Sequence, residues 1–246
     1  MGLSRAQPDF SVTGDSITPM RNFLWVMFLT GAIQAQRAPD ATELLQKAKS
    51  FGESTRSWRA EAVQTSQVSM PGMKIPSSEI HIKLAAEAPF KMSRVNSGDD
   101  RTAMICDGTQ QFYSGDGLSY YLNEAGGQCS FTLLSFYEPS LMNFIGPTSN
   151  PSSVTVIGED HVRLTDGERR CLVVRVVVVR ESEHGVRTMC IDPTRPVILR
   201  DVVDLENEAK GFRSITTTTI LSFEDRPTFN PDTFRITIPP GAYRAR

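Results

Sequence analysis

The stretch Cys171-Leu172-Val173-Val174-Arg175-Val176-Val177-Val178-Val179-Arg180 is dominated by valine. Side chains branched at Cβ are stiff in a helix and pack well on a pleated strand, so the segment reads as β. Its apolar residues occupy both alternating positions. That predicts a strand in the middle of a sheet, covered on both sides.

The neighbouring sequence repeats the β signature. Downstream come a turn near Glu183-His184-Gly185 and strands over Val186–Asp192, Val197–Glu206 and Phe212–Phe223. Upstream, Val154–Gly158 and His161–Thr165 read as two strands. The N-terminal half contributes Trp58–Met70, Glu79–Ala86, Phe90–Asn96, Thr102–Cys106, Gln111–Ser114 and Leu118–Leu122. Turns at Asp107-Gly108 and Gly115-Asp116-Gly117 separate the last three, because Asp and Gly tolerate the backbone angles of tight hairpins. A tail strand over Thr233–Ile238 stops at Pro239-Pro240-Gly241.

Two segments have a helical period. Asp40-Ala41-Thr42-Glu43 has the form of a capping box, and Leu44, Leu45, Ala48 and Phe51 follow on one face, which predicts an amphipathic helix over 41–55. Between Phe131 and Ile145 a dense apolar cluster is broken by Pro139 and reads as one or two short helices. Two readings of this insertion stand: core packing of a helix on the sheet, or a lid over a concave apolar face. The expected fold is mainly β with helices (α+β), a single strongly curved antiparallel sheet with an N-terminal helix and the central helices against it.

A net charge of -2 across 246 residues gives no field that would favour nucleic acid or anionic lipid. Met20-Arg21-Asn22 leads into the apolar run Phe23–Ile33, which ends at Gln34-Ala35-Gln36. A membrane-spanning helix needs about 20 apolar residues, and this run is shorter, so a cleaved export signal over residues 1–35 with translation starting at Met20 is expected. The alternative is an uncleaved anchor. Residues 36–246 then form one domain, expected to be a soluble monomer once exported.

Four cysteines, Cys106, Cys129, Cys171 and Cys190, suit an oxidising compartment. Counting leaves three pairings. Cys106 with Cys129 and Cys171 with Cys190 is preferred, since each pair flanks its own hairpin. None lies in a Cys/His cluster, so no metal or cofactor is expected. His81 shares the polar face of its strand with Glu79 and Lys83, and His161 and His184 sit in or beside turns. No nucleophile motif accompanies them, and no catalysis is expected.

Ser57-Trp58-Arg59-Ala60-Glu61-Ala62-Val63-Gln64 after the first helix, Ala88-Pro89-Phe90-Lys91-Met92, Met104-Ile105-Cys106-Asp107-Gly108-Thr109-Gln110-Gln111-Phe112-Tyr113, and Phe234-Arg235-Ile236-Thr237-Ile238-Pro239-Pro240-Gly241-Ala242 occur in that order. Together they resemble the LolA-like family of periplasmic lipoprotein carriers, which includes sensors of the RseB type. The resemblance covers most of residues 41–246 and implies an incomplete, half-open β-barrel whose concave face holds lipoprotein acyl chains or lipid. Where the family carries an Arg before Pro, this chain has Ala88, so the polar latch expected of true carriers is absent. The expected cavity contacts are Ile80, Ile82, Leu84, Phe112 and Tyr120 from the strands and Leu134, Phe136, Leu141 and Phe144 from the insertion. The alternative implied by the resemblance is an RseB-like envelope sensor that binds a membrane-protein partner by the same face.

Overall fold

The computed structural model describes residues 40–125, Cys129, residues 151–180 and residues 183–245. The expected export segment and the insertion residues Leu134, Phe136, Leu141 and Phe144 lie outside the described residues.

Helix α1 (Ala41–Ser54) opens the fold. Asp40 caps it by accepting the Thr42 amide at 2.9 Å, while Glu43 pairs with Lys47 one turn on at 2.6 Å. So the aspartate half of the capping box forms, and Glu43 is engaged along the helix. Thr55 closes the helix, its amide and hydroxyl both donating to the Phe51 carbonyl.

The strands that follow are β1 (Ser57–Met70), β2 (Met73–Lys74), β3 (Ser78–Glu87), β4 (Lys91–Gly98), β5 (Ala103–Asp107), β6 (Gln110–Ser114) and β7 (Ser119–Glu124). The second half supplies β8 (Ser153–Leu164), β9 (Gly167–Arg180), β10 (Glu183–Ile191), β11 (Ile198–Asn207), β12 (Phe212–Asp225) and the two-residue β13 (Tyr243–Arg244). Among the described residues they form one curved open sheet in the order β13-β7-β6-β5-β4-β3-β1-β12-β11-β10-β9-β8, with β2 paired to β1 alone. Every neighbouring pair is antiparallel except β13 on β7.

Three expectations are corrected. The valine-rich strand, β9, lies next to the β8 edge, and the centre is held by β1 and β12. Along β9, Val174, Val176 and Val178 are buried while Arg175 and Val179 are exposed, so from Val173 onward only one face is covered. The exposed flank explains this: an antiparallel sheet can leave one face to water, so its central strands need not be apolar on both sides. The central β12 indeed carries Thr216-Thr217-Thr218-Thr219. Next, the two short strands expected over Val154–Gly158 and His161–Thr165 are one strand, β8, with a bulge between Val156 and Gly158 that absorbs the break in alternation. Finally, the tail strand over Thr233–Ile238 is absent: Pro231–Phe234 is a short 3-10 turn, capped by the Asn230 side chain and started by a proline whose fixed φ suits a first turn.

The curl of the sheet is measurable. At the end of β8 the Thr165 amide donates to the Leu221 carbonyl of β12 at 2.8 Å, although three strands separate β8 from β12 in the sheet order. Helix α1 lies on the inner side of this curve. Its Ala41, Leu44, Leu45 and Ala48 join Trp58, Ala60, Ala62, Ile82, Leu84, Ala86, Val174, Val176, Met189 and Ile220 in one buried core. Small alanines on β1 and β3 let the helix approach the sheet closely, and each large apolar side chain so buried contributes roughly 1.5–3 kcal/mol.

Both cysteine pairs form as expected. Cys171 and Cys190 join adjacent strands β9 and β10 at a Cα separation of 5.3 Å. Cys106 and Cys129 are 6.1 Å apart at Cα, and with Met92 they make a small second core.

Candidate ligand-binding face

Cross-strand register decides which residues share a face, because directly paired residues point to the same side of a sheet. Ala60 pairs with Leu84, Leu84 with Arg94, Arg94 with Met104, Met104 with Tyr113 and Tyr113 with Tyr121. Ala60 packs in the core with α1, so this whole row lies on the inner face. Ile80, Ile82 and Leu84, all expected as cavity contacts, are also on that side. Ile82 and Leu84 are buried in the α1 core and Ile80 packs against it.

Phe112 and Tyr120 are placed elsewhere. Phe112 pairs with Ile105 and Leu122, one residue out of step with Tyr113, so it points to the outer face. Its ring stacks on Tyr120 at a centroid separation of 5.8 Å. A shift of one residue reverses a strand's faces, and the sequence Gln111-Phe112-Tyr113 offers aromatic residues on both. The structure thereby brings Tyr113 and Tyr121 to the inner face, which sequence reasoning missed. Their rings are 6.3 Å apart and the residues are 42% and 45% exposed. The available signal was the spacing of Tyr113 and Tyr121 about the hairpin, matched to Met104 and Leu84 by counting back through the turns.

The inner face therefore has two regions. Over β1, β3 and β8–β12 it is filled by α1 and buried apolar side chains. Over β4–β7 it presents Met104, Tyr113 and Tyr121, bordered by Arg94. Arg94 Nε donates to Asn96 Oδ1 at 3.3 Å, and the buried Asn96 donates from Nδ2 to Asp100 Oδ2 at 2.7 Å and to Thr102 Oγ1 at 2.6 Å. Burial pulls the Arg94 guanidinium below its usual range, with Asp100 drawing it back up. For Asp100, burial acts upward, but hydrogen bonds from Asn96 and Thr102 and the Arg94 charge together hold its carboxyl below the ordinary value. A carboxyl depressed in the fold contributes stability above its unfolded pKa of about 4 and loses it as the pH falls through the folded value. Asp100→Asn is therefore expected to lower stability at pH ~7 and to flatten the acid limb of a stability–pH profile below pH ~4, where variant and parent converge; an unchanged acid limb refutes this role for the cluster.

The outer face carries the polar residues expected there. His81 lies 3.3 Å from Glu79, and Lys83 lies 3.6 Å from Glu61. Asp107 accepts the Thr109 and Gln110 amides, each at 2.8 Å, next to Gly108 at φ +101°, so the Asp-Gly pair serves the turn. A cleft of about 380 Å³ opens between the β8–β9 turn, the β10–β11 loop and Phe223. Another of about 570 Å³ lies between Lys91, Asp107 and the tail residues Phe229 and Phe234. Of the expected cavity residues that are described, none lines either cleft. Among the described residues no cluster of His, Cys, Asp and Glu could hold a metal ion, and no helix is long and apolar enough to cross a membrane.

Neither a protein-family model nor a curated relative matches the sequence. Solved structures do. The chain is similar to MucB crystallised in complex with MucA(peri), at 15% identity and a TM-score of 0.40 over 80% of this chain, and spans 60% of that MucB chain. For the Pseudomonas aeruginosa MucA/MucB complex the values are 16%, 0.39 and 81%, with 62% of that chain spanned. A LolA superfamily protein from Nitrosomonas europaea matches at 9% identity and a TM-score of 0.31, over 81% of this chain and 99% of its own.

Proposed function

We propose that this protein is an exported, periplasmic, non-catalytic binding protein that shields an apolar ligand, lipoprotein acyl chains or a lipid, on the inner face of its open sheet. The observation that carries the reading is the exposed Tyr113–Tyr121 pair beside Met104 on an inner face whose remaining part, over β1, β3 and β8–β12, is buried beneath α1. Large apolar side chains left open on a concave surface favour an oily ligand, since each methylene they remove from water contributes about 0.8 kcal/mol. Within this reading Ile80, Ile82 and Leu84 form the floor beneath α1, and the insertion residues Leu134, Phe136, Leu141 and Phe144 are proposed as further contacts. Phe112 and Tyr120 support the sheet from its outer side.

Native mass spectrometry of the gently purified protein should reveal a retained lipid. A clean apo protein that also ignores fluorescent fatty acids defeats the proposal. Replacing Tyr113 and Tyr121 together by Asp is expected to weaken binding of a fluorescent acyl probe roughly ten-fold or more, as charge replaces apolar contact area. Unchanged affinity would place the site elsewhere.

The second reading is a regulatory module that binds a membrane-protein partner. It is supported by the same tyrosines, because exposed aromatics are frequent anchors of protein interfaces, and MucB is described in complex with MucA. Affinity capture that recovers a transmembrane regulator and no lipid favours it.

A further inference from the structure

The cleft of about 380 Å³ beside the β8–β9 turn lies apart from the Tyr113–Tyr121 region and shares no residue with it. Its floor is apolar. Leu164, Val197 and Leu199 are buried there, and Phe223 of β12 packs on the same core, its ring 6.4 Å from that of Phe51 on α1. Three arginines stand around this floor: Arg169 and Arg170 at the start of β9, and Arg195 in the β10–β11 loop.

Their partners separate them. Elsewhere in this half of the chain arginines are matched to acids: Arg187, wholly enclosed on β10, donates from Nε and Nη2 to the two oxygens of Asp201 on β11 at 2.7 and 2.6 Å, and Arg213 holds Asp204 in the same way at 3.0 and 2.7 Å. In the cleft, Arg169 pairs with Asp166 at 2.5 Å and Arg170 donates to both oxygens of Glu159. Arg195 differs. Among the described residues its guanidinium meets no carboxylate, and it stands 5.9 Å from the centre of the Phe223 ring. Contact with an aromatic face uses none of its five N–H donors. The loop beneath it is pinned: the Asp192 carboxylate accepts the Thr194 and Arg195 amides at 2.8 and 3.1 Å, the Asp192 amide donates to the Val197 carbonyl at 3.0 Å, and Pro193 and Pro196 stiffen the turn. Arg195 is thus a cation held in place with its donors open.

An unmatched guanidinium beside an apolar floor fits an anion joined to an apolar group. A carboxylate suits it best, because its two oxygens match the planar fork. The rim decides what carries that carboxylate. Glu168, which faces Arg163 across the β8–β9 hairpin, offers an acceptor, and Arg169, which uses one nitrogen on Asp166, has donors left over. A peptide amide needs one of each, whereas a hydrocarbon chain has no use for either. The volume is at the small end for ligand pockets, on the scale of a chain terminus. We propose that this cleft binds the C-terminal residue of a peptide, with its carboxylate on Arg195, its apolar side chain on Leu164, Leu199 and Phe223, and its amide between Glu168 and Arg169. A small apolar carboxylate shares the anion and lacks the amide. The site is independent of the reading of the inner face and can fail without it.

The test is an NMR titration of the isotope-labelled protein at low salt with three probes: N-acetyl-alanyl-leucine as the free acid, the same peptide as its C-terminal amide, and isovalerate. The acid is expected to bind about ten-fold or more tightly than the amide, the scale of a hydrogen bond to a charged group. Shifts should centre on Thr194, Arg195 and Glu168. In Arg195→Gln, an exposed change in a loop held by its own backbone, acid and amide should bind alike. Arg195→Lys, which keeps the charge and loses the fork, should retain part of the preference. Equal affinity of acid and amide in the parent, a preference that survives Arg195→Gln, isovalerate binding as tightly as the peptide acid, or no saturable binding of any probe overturns the proposal. Lipid retention is measured separately and is untouched by each of these outcomes.

Discussion

Arg187→Met is expected to lower the unfolding free energy by about 3–5 kcal/mol, and Arg187→Met/Asp201→Met to recover most of that loss. The single change leaves Asp201 ionised or protonated in an apolar pocket with no partner for its two oxygens; the double change removes both buried polar groups together. The measurement is the urea midpoint at unchanged slope, since an altered slope signals a different unfolded state or a partly unfolded native one. Equal losses in the single and double variants would show that packing by the Arg187 stem, not the ion pair, is what the fold needs. The pair also has its own pH signature. Burial pushes the Asp201 carboxyl up, and the Arg187 charge and hydrogen bonds offset this only in part. A carboxyl raised in the fold binds more protons there than in the unfolded chain, so its own contribution falls as the pH rises from the unfolded range through the folded value. That sign is opposite to Asp100, and to Asp204, which the Arg213 guanidinium holds low. Comparing acid titrations of the double variant and of Asp100→Asn separates the two.

Much of the fold was legible because local chemistry and tertiary structure agree there. The Asp-Gly turns, the apolar stripe of α1, the alternation that puts His81 outside and the pairing of the cysteines each follow from a few neighbouring residues. What was not legible depends on distant partners. Nothing within Cys171–Arg180 tells that β9 lies beside an edge, because sheet order is set by the long β1–β12 pairing, in which Gln64 meets Thr218. The same holds for the inner face. Phe112 and Tyr113 are adjacent and both aromatic, and only the register carried through β3, β4 and β5 tells which one faces α1. Arg187 reads in sequence as a polar residue in the alternating segment Val186-Arg187-Thr188. Its burial becomes visible only when Asp201, two residues along the facing strand from its direct partner Val203, supplies the compensating charge. Sequence patterning thus recovers elements and faces within a hairpin, and loses those whose meaning comes from strands far apart in the chain.

Trp58→Ala is expected to cost about 3–5 kcal/mol, comparable to the Arg187 change but by a different route. Trp58 is fully enclosed at the start of β1, where it pairs with Ala86 on β3 and Asp225 on β12. Its indole fills the space that the small side chains Ala60, Ala62 and Ala86 leave beneath α1, so truncation leaves a cavity lined by residues too short to collapse into it. Trp58→Phe should recover part of the loss. The location of the damage discriminates further. If Trp58 anchors α1 to the sheet, amide exchange should quicken across Leu44–Phe51 before it quickens in β5–β7, which share no buried residue with that core. Uniform acceleration across both regions would mean that the two cores unfold as one cooperative unit, with Trp58 setting global stability and not the docking of the helix.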